Sequence, residues 1–215
     1  DSIVKKNFIQ VNYYANLPFY ENFEGIWIDR DGIRDVPSIY WKNNPPSGNN
    51  SWSREDDGLD RAAWDLSKKS FLPLGANNTN HCAKFNSIYT PPRITGELLL
   101  YINFSSMLGG KALKFWYINP DGKDSLFIYF SEDGGQNFKK IFNTGISEKW
   151  QKYTIDFGNT NTEIGIIKFL AKSDWGLTDI GLDEISIGSL YAKFTCSDTI
   201  GYAPLTVYFN NLSYG

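Results

Sequence analysis

The carboxylates near one apolar ribbon are the first residues whose pattern points to chemistry. In I-G-L-D-E-I-S-I, Ile180 and Leu182 fall on even positions while Ile185 and Ile187 fall on odd ones. The side-chain parity therefore slips by one, and a β-bulge at Asp183-Glu184 accounts for it. A bulge frees backbone carbonyls and lets a carboxylate point sideways, which suits a hard cation such as calcium that takes roughly six to eight oxygen ligands. Two further segments, Asp29-Arg30-Asp31-Gly32 and Glu55-Asp56-Asp57-Gly58-Leu59-Asp60, set carboxylates around a glycine turn and make Asp31 and Asp57 additional candidate ligands. Neither has EF-hand spacing. Arg30, Arg34, Arg54 and Arg61 sit among these acids, which favours charge-balanced loops over metal sites.

Covalent catalysis finds little material. The single histidine, His81, adjoins Cys82, and neighbours on an extended segment point to opposite faces, a poor geometry for a Cys-His dyad. No G-x-S-x-G elbow, phosphate loop or zinc spacing is present. Ser131-Glu132-Asp133-Gly134-Gly135-Gln136-Asn137-Phe138 resembles an Asp-box, S-x-D-x-G-x-x-aromatic, whose role is structural: Asp133 accepts hydrogen bonds from its own turn, and Phe138 packs beneath the hairpin. A two-carboxylate glycosidase remains the one enzymatic alternative. Trp27, Trp41, Trp52 and Trp175 are candidates for flat ligand platforms, although a tryptophan in a sandwich is more often core material.

The elements that position these groups are strands. Tyr153, Ile155 and Phe157 alternate with Lys152, Thr154 and Asp156, the period of a half-buried strand, and Leu113, Phe115 and Tyr117 follow the same rule. Leu126 to Phe130 and Ile164 to Leu170 are apolar on both parities, as expected for central strands covered on both faces. Turn signals separate these runs, among them Asp133-Gly134-Gly135 and Gly158-Asn159-Thr160-Asn161. The expected fold is all-β: a jelly-roll β-sandwich of two antiparallel sheets with a short C-terminal β stub. The first 95 residues carry long loops rich in Asn, Pro, Gly and Ser. After Gly188-Ser189 the composition breaks, and the tail predicts two strands and a turn, too little to fold alone.

Several of these segments together resemble the MAM-like jelly-roll domains of secreted Bacteroidetes proteins, the group that includes the cleaved-adhesin domains of gingipain-type proteases. The landmarks are F-Y-E-N-F-E-G (Phe19 to Gly25), S-W-S-R-E-D-D-G (Ser51 to Gly58), C-A-K-F-N-S-I-Y-T-P-P-R-I (Cys82 to Ile94), S-L-F-I-Y-F-S-E-D-G-G-Q-N-F (Ser125 to Phe138) and the closing I-G-L-D-E-I-S-I. Asp29 to Asn50 is longer and more charged than the family's usual segment. The tail resembles the opening of a PKD-type immunoglobulin-like domain, A-P-L-T-V-x-F-x-N-x-S-x-G. The implied organisation is a leader over 1–16, the jelly roll over 17–188 and the start of a PKD-like domain over 189–215. The resemblance also implies a structural calcium held between a Glu of the first strand and an Asp of the last, here Glu24 and Asp183. Phe23 would then face the core and Glu24 the other way.

Composition agrees with a β protein and limits its partners. Aromatics reach 16% while alanine numbers 9, with 20 Asn, 19 Gly and 9 Pro, a profile that favours strands and turns. A net charge of -3 with only five Arg lacks the basic footprint that nucleic acid demands. No apolar run approaches the roughly 20 residues of a membrane span. The chain opens on Asp1 without a charged-then-apolar leader, as expected of a processed piece. Cys82 and Cys196 are too few for a disulfide framework. The expected function is a non-catalytic, secreted or surface-attached adhesion or targeting module of a larger protein, meeting an extracellular protein or glycan. A carbohydrate-binding module with an exposed aromatic platform is the alternative.

Overall fold

The computed structural model describes residues 11–54, 74–85, 90–120, 123–174, 179–189, 194–197, 200–202 and 204–211. Fourteen strands are described, with one short 3-10 turn at Phe104–Ser106. They are β1 (Ala15–Asn16), β2 (Phe19–Glu21), β3 (Trp41–Asn44), β4 (Trp52–Arg54), β5 (Ala83–Phe85), β6 (Thr95–Asn103), β7 (Lys111–Asn119), β8 (Ser125–Ser131), β9 (Lys139–Asn143), β10 (Ser147–Gly158), β11 (Gly165–Lys172), β12 (Ile180–Ser189), β13 (Phe194–Cys196) and β14 (Phe209–Asn211). The first sheet runs β1-β6-β11-β8-β9, with β3 also on β6. The second runs β10-β7-β12-β5-β4, with β2 also on β12. The pairing is antiparallel except at β1, which lies parallel to β6, so the first sheet is mixed and the segment expected as a leader already contributes a strand.

Period-2 alternation decides which side chains fill the space between the layers. Leu98, Leu100 and Ile102 of β6, Ile167, Phe169 and Ala171 of β11, and Leu126 and Ile128 of β8 point inward from one sheet. Leu113, Phe115 and Tyr117 of β7 meet them from the other, with Ile180, Leu182, Ile185 and Ile187 of β12. On β10, Ile155 is buried, Tyr153 and Phe157 pack against the core, and Lys152, Thr154 and Asp156 are exposed, as the alternation predicts. The double-apolar runs turn out differently. Phe127, Tyr129 and Leu170 lie on the outward face and remain partly exposed, because these central strands are covered on one side by the other sheet and on the outer side only by neighbouring side chains.

Trp27, Trp41 and Trp52 are at most 2% exposed. Trp41 sits among Phe19, Phe23 and Phe169 at ring separations of 6.0 to 6.2 Å, and Trp52 packs on Phe85 while its indole N–H donates to the Gly96 carbonyl at 3.1 Å. They are core residues, which corrects their reading as ligand platforms. Trp175 and Trp64 lie outside the described residues, as does Asp57. The described part of the tail forms a separate hairpin of β13 and β14.

Candidate functional site

The expected bulge is present. Asp183 lies opposite Trp116 of β7, but the next register pair is Ser186 opposite Lys114, so the register shifts between them, and Glu184 takes φ +48°. This places Ile185 and Ile187 back on the core face and leaves Asp183 fully buried. One carboxylate oxygen, Oδ2, accepts the Ala76 N–H at 2.8 Å and the Thr79 hydroxyl at 2.7 Å. The other accepts the Glu184 N–H at 2.7 Å. All three donors are neutral. Burial pushes the Asp183 carboxyl up to about 7, with the nearby Glu184 charge adding to the effect and the three hydrogen bonds opposing it. A raised folded-state value means that the proton stabilises the fold: the contribution is fully present below about pH 4 and lost as pH rises through about 7.

Glu24 is not on the first strand of its sheet. β2 ends at Glu21, and the chain turns through Phe23 at φ +56°, with the Phe23 N–H donating to Glu21 Oε1 and the Glu24 N–H to Asn22 Oδ1. Phe23 is fully buried and Glu24 is not, as its neighbour's orientation predicts. The Glu24 carboxylate accepts the N–H groups of Asn80 and His81, each at 2.7 Å. Burial works to raise this carboxyl, but the two amide donors outweigh it and hold it below its ordinary range.

One short loop thus reaches both acids: Ala76 and Thr79 hold Asp183, and Asn80 and His81 hold Glu24. The same loop sends Asn77 Nδ2 to Glu184 Oε2 at 3.0 Å, while the Tyr20 hydroxyl donates to Glu184 Oε1 at 2.5 Å. Burial and this bond raise the Tyr20 phenol to about 12. Sequence reasoning named both acids but missed the loop, whose A-N-N-T-N run reads only as a turn-rich stretch. Among the described residues no three carboxylate, imidazole or thiol groups converge as a ready-made metal cluster. The donor set nonetheless has the hard-oxygen character calcium requires, and Asp183 is a buried carboxylate with no cationic partner among the described side chains.

Asp31 belongs to a different feature. Ile28 and Val36 bridge the base of a loop, where buried Asp35 accepts the N–H groups of Arg30 and Asp31 and Asp29 accepts that of Arg34. The Arg30 guanidinium donates to the Trp41 carbonyl and to Asn12 Oδ1 and lies over the Tyr101 ring. Asp29 and Asp35 are thus held by the loop's own backbone N–H groups, and the Arg30 guanidinium turns to neutral partners. The Asp-box likewise closes on itself: Asp133 accepts the Asn137 N–H at 2.9 Å and the Ser131 hydroxyl at 2.7 Å, while Gly134 and Gly135 take φ +70° and +93°. Phe138 does not enter the core; it lies on the outer face beneath the Lys168 ammonium, 3.9 Å from its ring centroid. Cys82 and Cys196 are both free thiols, and no described helix is long and apolar enough to cross a membrane.

No family model matches the sequence, and no curated protein matches it either. Among solved structures, the chain superposes on the K1 cleaved adhesin domain of Lys-gingipain from Porphyromonas gingivalis with a TM-score of 0.51 and 17% identity, covering 80% of this chain and 97% of that domain. The K2 cleaved adhesin domain of Lys-gingipain gives 0.49 and 15% identity over 79% and 98% of the two chains. TmCBM61, solved with β-1,4-galactotriose, gives 0.40 and 14% over 70% and 82%. The chain therefore has the fold of a cleaved adhesin domain, as its sequence landmarks imply.

Proposed function

We propose that this chain is a non-catalytic extracellular binding module, an adhesion or substrate-targeting domain of a larger secreted or surface protein, braced by one calcium ion at Asp183 and Glu24. The observation that carries the metal reading is the buried Asp183 carboxylate, held among the described residues by neutral donors, beside a loop that also grips Glu24. A divalent cation there would supply a countercharge and fasten the loop to β12 and to the turn after β2. The same geometry argues against acid-base catalysis. Asp183 has no solvent exposure and Glu24 is capped by two amides, so the pair offers no open cleft to a glycoside.

The residues beyond Ser189 are proposed to begin a following PKD-like immunoglobulin domain. Ile200, Tyr202, Tyr208 and Phe209 are 69% to 98% exposed, as expected of apolar side chains that pack within another unit. The binding role is tested by probing arrays of extracellular-matrix proteins and glycans with the chain, with calcium and with excess chelator. Selective retention on a subset of ligands, strengthened by calcium, is expected; retention on none would overturn it.

A further inference from the structure

The outward face of the first sheet carries a pattern that the core does not need. Register places Lys140 of β9 opposite Tyr129, Tyr129 opposite Lys168, Lys168 opposite Leu99, and Leu99 opposite Lys42 of β3. One row across five strands therefore reads Lys-Tyr-Lys-Leu-Lys. Neighbouring strands lie about 4.8 Å apart, so the lysine positions repeat every second strand at about 10 Å. Phe127 and Leu170 occupy the adjacent row, opposite one another. Lys172 extends the same face. These strands project four lysines outward against one carboxylate, Glu97, on a chain whose net charge is -3.

Two of the four ammonium groups, those of Lys140 and Lys168, lie over rings. Lys140 Nζ lies 5.4 Å from the Phe127 centroid, and Lys168 Nζ lies 3.9 Å from that of Phe138 and 5.8 Å from that of Tyr129. Lys168 also pairs with Glu97 at 3.1 Å. The Lys168 side chain is only 16% exposed and its charge is shared with Glu97, so it anchors the centre of the row, while the ring contact of Lys140 holds that ammonium in place and leaves it able to accept an anion, which lowers the ordering cost of binding.

We infer that this face binds an acidic polysaccharide, a chain with a carboxylate or sulfate on every second sugar, laid across the strands along the Lys140, Lys168 and Lys42 row. The anionic groups meet Lys140 and Lys42 at the two ends of the row, with Lys168 adding positive charge between them, and the intervening sugar faces lie on Tyr129, Phe127 and Leu99. The repeat of charge and ring along the row is comparable to the length of two linked pyranose rings. Nucleic acid fits less well, because its phosphates are denser and no arginine stands in the row. The inference deepens the binding-module reading and rests on it.

The test is calorimetric titration of the whole chain with κ-carrageenan, which carries a sulfate on every second sugar, and with hyaluronate, which carries a carboxylate on every second sugar. Dextran and β-1,4-galactan serve as neutral controls, and polyglutamate and single-stranded DNA as polyanions without sugar rings or with phosphates. Binding of at least one acidic polysaccharide and neither neutral one is expected. Lys42→Gln/Lys140→Gln, which leaves the Lys168-Glu97 pair intact, should weaken it at least tenfold, and Tyr129→Ala should weaken it with the charge unchanged, both variants melting as the wild type does. The inference is overturned if neither acidic polysaccharide binds, if polyglutamate or DNA binds as tightly, or if the lysine variant binds normally. A chain that fails here yet holds a neutral glycan or a protein on the arrays loses this surface and keeps its general role; one that binds nothing loses both.

Discussion

A carboxylate buried without a cation is costly in its ionised form, and Asp183 is fully buried with no cationic partner among the described side chains. In chelator, stability should fall as pH rises from about 4 through about 7, because the folded chain holds the Asp183 proton more tightly than the unfolded chain does. Urea midpoints at pH 5 and pH 8 should show this decline in the wild type and a flatter profile in Asp183→Asn; parallel profiles would contradict it. Asp133 has the opposite sign. Its carboxyl is lowered to about 2, first by the Asn137 N–H and then by Ser131, so its hydrogen bonds persist above about pH 4 and are lost as pH falls through 2. The Asn137 amide resonance should follow that midpoint, and Asp133→Ala should disturb only the hairpin. Asp183 and the Asp133 turn were legible because each leaves a mark in local order, a parity slip in one and a turn motif in the other. For Trp27, Trp41 and Trp52 the core reading was already the commoner expectation, but a residue's type does not reveal which layer will close over it, so sequence alone leaves the platform reading open.

At the scale of elements, two contacts are sharp tests of the packing. Lys84 of β5 and Asp179 just before β12 form an ion pair at 2.7 Å, with side chains only 4% and 9% exposed. Lys84→Ala should cost about 3 to 5 kcal/mol in chemical denaturation, because it removes the ammonium paired with a buried carboxylate; a loss under 1 kcal/mol would show that the pair is not what holds this carboxylate. Gly96 lets β6 pass under the Asn50 carbonyl, where an added Cβ would lie 2.1 Å from that oxygen and 2.8 Å from the Phe85 ring. Gly96→Ala should therefore destabilise by about 1 to 3 kcal/mol. Strands from β6 to β12 were readable from alternation and turns. The outward role of Phe127, Tyr129 and Leu170 was hidden, because an apolar outer face, lined with lysines, has the same sequence pattern as a buried one. The short strands β1 to β5 were hidden as well: each has two to four residues and takes its conformation from a long neighbour's edge, not from its own periodicity.

For the whole molecule, two six-stranded layers enclose one contiguous apolar core. The proposed calcium ion would then add stability at one end and not be a condition of folding. That separates the architecture, legible from strand spacing and family landmarks, from the loop at 74–81, whose role depends on contacts with residues more than a hundred positions away. The most direct test is thermal melting in saturating calcium and in excess chelator, for the wild type and for Asp183→Asn. With calcium at about a hundredfold above its dissociation constant, the wild-type Tm should exceed its chelator value by about 5 to 10 °C, and the variant should show no such difference. Superimposed wild-type curves in the two conditions would contradict the calcium site and the countercharge role it assigns to the ion beside Asp183.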